Sequence, residues 1–123
     1  MVEFYVVGGC LKIQKSVFAQ EMLRKDSLLR KLLNWRSTTD FAVEHPLVGK
    51  PDENGTITVD FSGRVLVCLG DSPKELLGNL KARYKEKIKG NVVCKGEYSM
   101  FGGLYIFEID LNSDDGSMTY VNG

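Results

Sequence analysis

The pattern of apolar and polar positions predicts a strand at the start of the chain and helical structure after it. Residues 2–7 are almost all apolar, and the two glycines that follow are expected to end the strand. Over residues 15–36, apolar residues recur at the spacing of a helix. Asp26 and Ser27 interrupt this stretch, and both residue types favour helix starts. We therefore expect two short helices or one bent helix.

Strand patterns dominate the rest of the chain. Residues 57–61 alternate apolar and polar side chains, and residues 64–69 are apolar on both faces. Because only Ser62-Gly63 separates them, we predict a β-hairpin whose second strand is central in a sheet. Residues 92–98 and 104–111 predict two further strands.

A helix start is encoded between these strand patterns. The side chain of Ser72 can accept a hydrogen bond from the amide of Glu75, and Glu75 can return one to Ser72. Pro73 suits the first helical position. An apolar stripe at helical spacing extends over residues 76–88, and Gly90 is expected to end the helix.

The resulting order is β-α-β-β-α-β-β, which predicts an α+β fold. Its first six elements resemble the ferredoxin-like plan, in which the helices cover one face of an antiparallel sheet. The last strand would then be an extra C-terminal edge strand. We expect one domain over residues 1–111, with a long loop at 37–56, and an acidic tail at 112–123 that frays. The loop is expected to hide a short strand, to pack on the core, or to form a flap over a site.

Composition narrows the class of protein. The chain has 123 residues, 43% of them hydrophobic and 26% charged, which suits one domain with a core and excludes general disorder. Sixteen basic residues balance sixteen acidic ones, which disfavours a globally cationic nucleic-acid binder. The start of the chain does not resemble a signal peptide, and no apolar run approaches the roughly 20 residues that span a bilayer. We expect a small intracellular, cytoplasmic protein with no membrane partner.

The residues that could carry catalysis or bind a metal are few. Cys10, Cys68 and Cys94 are far apart in the sequence, and the single His45 cannot complete a common zinc set. We expect reduced thiols, no metal and no cofactor. Cys10 and His45 are weak catalytic candidates, and they would serve a small enzyme whose site lies under the 37–56 loop.

Charge is distributed unevenly along the chain. Residues 1–36 and 64–97 each carry a net charge of +4, whereas residues 37–63 and 98–123 each carry −4. The predicted helices are thus basic, and their exposed faces form either a solvated surface or a patch for nucleic acid or an acidic protein partner. The patch would consist of Lys74, Lys81, Lys85, Lys89, Arg30 and Lys31.

The predicted strands are apolar on both faces, so the face away from the helices also needs a cover. The candidate covers are the long loop, the tail and a second copy of the chain, of which we favour the second copy. The expected dimer interface consists of Tyr5, Leu66, Tyr105 and Phe107. The leading hypothesis is a non-enzymatic binding or regulatory module that acts as a homodimer. The alternatives are a nucleic-acid-binding protein that uses its basic helix faces and the small enzyme described above.

Overall fold

Three α-helices and eight β-strands form the part of the chain that the structure, a computed structural model, describes: residues 2–37, 43–68, 72–98 and 103–122. The helices are α1 (Lys15–Met22), α2 (Leu28–Leu33) and α3 (Pro73–Tyr84), and a 3-10 turn at Lys85–Lys87 follows α3. The strands are β1 (Val2–Gln14), β2 (Arg36–Ser37), β3 (Leu47–Val48), β4 (Thr56–Asp60), β5 (Leu66–Val67), β6 (Ile88–Tyr98), β7 (Gly103–Asp110) and β8 (Thr119–Asn122). The fold is α+β, and none of its described helices is long and apolar enough to cross a bilayer.

One face of the sheet packs against the helices. Val6 of β1, Val92 of β6 and Ile109 of β7 are fully buried in a core that residues of all three helices share. The helices contribute Val17 from α1, Leu28, Leu29 and Leu32 from α2, and Leu76, Leu77 and Leu80 from α3. The opposite face of the sheet, called the open face below, points away from this core.

Strand β1 lies at the centre of the sheet and pairs along both of its edges. One edge pairs antiparallel with β6 between Val2 and Ile13. Two short strands share the other edge, since β5 pairs with Tyr5 and Val6 while β4 pairs with residues 10–14. β2 continues the sheet beyond β5, β3 continues it beyond β4, and β7 and β8 continue it beyond β6.

The hairpin predicted for residues 57–61 and 64–69 is wrong in its pairing. Both segments contain strands, β4 and β5, but each strand pairs with β1 and not with the other. The amide of Phe61 donates to the carbonyl of Gly9 (3.0 Å), and Gly63 turns the chain at a φ of +76°. The ferredoxin-like plan requires that hairpin and is not confirmed. β7, predicted as an edge strand, lies between β6 and β8.

Glycines allow the two long strands β1 and β6 to approach closely. The sequence predicts that Gly8-Gly9 end a strand and that Gly90 ends a helix, but all three glycines lie inside strands. β1 continues through Gly8 and Gly9 with a shift of register beside Val6. Gly9 has a φ of +91° and Gly90 a φ of +116°. A Cβ atom at either position would lie closer than 3.0 Å to a backbone oxygen of the opposite strand. Only glycine fits both the conformation and the space.

The predicted helix starts are confirmed. The helical structure is interrupted between α1 and α2. The Ser27 hydroxyl oxygen accepts a hydrogen bond from the amide of Arg30 (3.1 Å) at the start of α2. The Ser72 hydroxyl oxygen accepts from the amide of Glu75 (3.2 Å). α3 ends at Tyr84, earlier than predicted, so Gly90 belongs to β6 and not to a helix end.

A buried carboxylate joins the three helices. Glu21 is fully buried, and its Oε1 accepts hydrogen bonds from the amides of Leu28 (2.9 Å) and Leu29 (3.2 Å) at the start of α2. Its Oε2 accepts from Arg83 Nη1 (2.9 Å) and from the Tyr84 hydroxyl at the end of α3. Burial alone would raise the pKa of Glu21, but these hydrogen bonds outweigh it and lower the pKa.

The long loop contains a short strand, which is one of its three predicted forms. Within the loop, Leu47 and Val48 form β3 but remain exposed, as does Val43, so these three do not pack on the core. Residues 38–42 lie outside the described ranges, and so does part of the predicted flap. In the tail, which the sequence predicts to fray, Thr119–Asn122 form β8 and pair with β7.

Replacing Glu21 with Gln is expected to lower the free energy of unfolding by about 1–3 kcal/mol at pH 7, because Arg83 and the α2 amides lose a charged acceptor. A lowered folded-state pKa contributes stability above the unfolded-state pKa, and this contribution is lost as pH falls through the folded value. The difference between the wild type and Glu21→Gln should therefore shrink as the pH falls below 4.5, the ordinary pKa of Glu. Urea unfolding across pH measures it, with the exposed Glu53→Gln as control. A difference that is independent of pH would contradict the role of the ionised carboxylate.

Gly90→Ala is expected to lower the free energy of unfolding by more than about 2 kcal/mol, because the new methyl group would meet the carbonyl of Cys10. Gly63→Ala is the matched control, since Gly63 also has a positive φ but a methyl group there would meet nothing within 4 Å. We expect it to lose only about 1 kcal/mol. Urea unfolding of both variants measures the difference, and equal losses would show that β1 and β6 are not in close contact.

Candidate binding surfaces on the open face and at the basic end

Part of the open face is apolar. Six of its apolar side chains, called the apolar patch below, come from β1, β5, β6, β7 and β8: Tyr5, Val67, Val93, Leu104, Ile106 and Val121. Leu104, Ile106 and Val121 are 60%, 48% and 54% exposed. Several exposed apolar side chains on one face of a sheet are typical of an interaction site.

Two opposite charges lie within the apolar patch. Lys95 lies directly opposite Ile106, and Glu108 lies directly opposite Val93, so the two charges occupy neighbouring positions on β6 and β7. Lys95 Nζ is 5.2 Å from the centre of the Tyr5 ring, and a Glu108 carboxylate oxygen accepts a hydrogen bond from the Asn91 side chain. The patch thus presents one positive and one negative group on an apolar background.

The structure does not bring the four predicted interface residues together. Leu66 and Phe107 are buried in the core, and Tyr105 packs against it beside Phe107, at a ring distance of 5.5 Å. Of the four residues, Tyr5 alone lies on the open face. Because the strands carry apolar residues on both faces, the sequence pattern could not show which set meets the helices.

The two catalytic candidates, Cys10 and His45, lie in different parts of the fold. Cys10 lies on the polar half of the open face, and His45 Nδ1 donates to the carbonyl of Trp35 (2.9 Å). Burial raises the pKa of Cys68 to about 12 and also raises that of Cys94, so neither thiol is a ready nucleophile. Within the described ranges, no group of His, Cys, Asp or Glu side chains is arranged to hold a metal ion.

The predicted basic patch does not exist as one helix surface. Lys81 is buried, and its Nζ donates to the carbonyls of Lys85 (2.8 Å) and Ile88 (2.6 Å), where it closes the end of α3. Lys89 lies on β6 and faces the open side of the sheet. Lys74 lies at the other end of α3, with Nζ 4.3 Å from the centre of the Tyr120 ring.

The remaining two patch residues are on α2. Arg30 and Lys31 are both exposed there, in the last turn of the helix. Neither residue lines either of the two grooves that are described next, which lie around the 3-10 turn after α3. The six predicted residues are therefore spread over two helices, a turn and a strand.

Basic side chains gather instead around the 3-10 turn that follows α3. A groove of about 540 Å³ lies on the open-face side of the turn and is lined by Lys12, Gln14, Thr56, Glu86, Lys87, Lys89 and Asp114. A second groove of about 250 Å³ lies on the helix side and is lined by Gln20, Arg24, Arg83, Tyr84, Lys85, Glu86 and Lys87. The two grooves share Glu86 and Lys87, and together they are called the basic end below.

Acidic groups neutralise part of the basic end. Lys89 Nζ lies 2.6 Å from Asp114 Oδ1, and the hydrogen bond from Lys89 lowers the pKa of Asp114. Arg83 is bound by the buried Glu21. Six basic side chains and two carboxylates nevertheless line the grooves, so the basic end carries a net positive charge.

Comparison with known proteins identifies no relative of this chain. No family model, no curated protein and no solved structure matches this chain, so the apolar patch and the basic end are the features on which a function can be argued.

Proposed function

We propose that this protein is a non-enzymatic binding or regulatory module that acts as a homodimer through the apolar patch of its open face. The observation that carries the proposal is the exposure of Leu104, Ile106 and Val121 on a sheet face that the helices leave uncovered. Burying apolar surface of this kind is the main favourable term in protein association.

A second copy of the chain suits the patch because its charges are self-complementary. In a dimer with two-fold symmetry, both protomers use the same surface patch. If one residue of the patch contacts a second residue on the partner, the second residue also contacts the first one on the partner. Lys95 and Glu108 lie on adjacent strands at neighbouring positions. A two-fold axis that lies in the interface and crosses β6 and β7 diagonally, between Lys95 and Glu108, would therefore place Lys95 of one protomer near Glu108 of its partner, with Ile106 and Val93 beside the pair.

The enzyme alternative has less support than the binding module. Cys10 lies on the sheet, and the imidazole of His45 is engaged by the carbonyl of Trp35 at 2.9 Å. A nucleophile and its base must come within hydrogen-bond reach of each other. The contacts of the described residues do not bring these two side chains together.

Ile106→Asp is expected to dissociate the dimer, because the variant would bury an unpaired carboxylate in the interface. Light scattering during size-exclusion chromatography should give a mass that rises with loading concentration toward twice the 13.7 kDa chain mass for the wild type, and a single chain mass for the variant at every loading. We expect the dissociation constant to rise at least about 100-fold. Circular dichroism should show that the variant remains folded, because Ile106 lies outside the core.

Leu23→Asp is the matched control, since Leu23 is 88% exposed just after α1, on the helix side of the molecule. It should leave the dimer intact. The proposal is contradicted if the wild type has the mass of one chain at every concentration. It is equally contradicted if Ile106→Asp is dimeric to the same extent as Leu23→Asp.

A further inference from the structure

Two lysines face each other across β1 and β6 at the basic end. Lys12 and Lys89 are directly opposite in the strand register and lie on the same face of the sheet. Side chains in this relation have Cβ atoms about 5 Å apart, and like charges there destabilise a sheet. Asp114 neutralises Lys89, whereas Lys12 forms no ion pair with any residue in the described ranges. An anion between the two lysines would remove the repulsion.

The groove around these lysines is large enough for a ligand. Its volume of about 540 Å³ falls within the range of small-molecule sites. Lys87 and Glu86 form the wall that this groove shares with the second groove, and Lys85 extends that wall on the helix side. Like Lys12, these two lysines have no ion-pair partner among the residues that the structure describes.

The second groove continues the positive surface with groups whose positions are fixed. Arg83 Nη1 is held by Glu21 Oε2 at 2.9 Å, whereas Arg24 Nε donates to Asp26 Oδ1 (3.3 Å) and lies 3.7 Å from Glu21 Oε2. Because Glu21 is buried, it orients the Arg83 guanidinium group from beneath the surface. Arginines that are held in advance lose little side-chain entropy when they bind a phosphate.

We propose that the basic end binds successive phosphate groups of a single-stranded nucleic acid. The strand would pass Lys12 and Lys89, cross the shared wall at Lys87, and continue past Lys85 and Arg83. Two grooves that meet at one wall form a track longer than a single phosphate needs, which favours a strand over a lone anion. Among the residues that the structure describes, the buried Tyr84 is the only aromatic one that lines the track, so contacts to the backbone and not base stacking are expected to provide the affinity.

Asp114 acts in this proposal as an internal competitor of the phosphate. It occupies Lys89 at 2.6 Å, and both side chains are exposed. Its turn is anchored on Gly90, whose amide donates to Asn112 Oδ1 (3.0 Å) and whose carbonyl accepts from the amide of Leu111 (2.9 Å). A bound phosphate must displace the Asp114 carboxylate, and Asp114→Asn should therefore strengthen binding.

The test is fluorescence anisotropy with a labelled oligothymidylate of about 20 nucleotides at low salt. Lys87→Glu should weaken binding at least about tenfold, and Asp114→Asn should strengthen it by roughly two- to fivefold. Lys74→Glu is the matched control, because it makes the same change of charge at the opposite end of α3. It should alter the affinity less than about twofold. Replacing Lys87 with Gln should reduce the slope of log affinity against log salt by about one.

Three results would overturn the proposal. The first is a wild type that does not bind the oligothymidylate at low salt. The second is an equal loss of affinity for Lys74→Glu and Lys87→Glu, which would show that only net charge matters. The third is an oligothymidylate of about four nucleotides that binds as tightly as the long one, which would indicate a single-phosphate site. Circular dichroism of each variant separates loss of binding from loss of fold.

Discussion

The close contact between β1 and β6 at Gly9 and Gly90 organises the whole sheet. Both glycines have positive φ angles, and each leaves room for a backbone oxygen of the opposite strand. This contact lets β1 continue for 13 residues past a shift of register. Its free edge can then accept β5 on one side of the irregularity and β4 on the other. The backbone of Gly90 also anchors the turn that carries Asp114, so the strand pairing and the basic end share one support.

Local signals in the sequence were sufficient for the helices but not for the sheet. Ser27 and Ser72 marked the helix starts correctly, because a cap depends on residues within one turn. The local pattern at Gly8-Gly9 and at Gly90 predicts the ends of elements, since glycine has the same local signature in a bulge as in a turn. Whether a glycine interrupts a strand or bends it depends on the opposite strand, which the local pattern does not contain.

The sequence pattern predicts that the protein has an apolar sheet surface and a basic surface, but it does not predict which residues form them. The doubled apolar pattern indicated a second apolar sheet face, yet only Tyr5 of the four named residues lies on it. The alternating charge of the segments indicated a basic surface, yet Lys81 turned inward to close α3. Glu21, which joins the helices, had no signal beyond its position on the apolar side of a helix. In each case, tertiary packing decided between orientations that the sequence pattern left equivalent.

The open face, and not the helix layer, is where we propose that this protein meets a second copy. Methyl NMR of a dilution series distinguishes the two surfaces, because the apolar patch and the core both contain methyl groups at known positions. Between roughly 10 µM and 1 mM, we predict concentration-dependent shifts for Val93, Ile106 and Val121, with core residues such as Leu80 unchanged. Shifts confined to helix residues, or no shifts in any methyl group across that range, would contradict the proposed dimer.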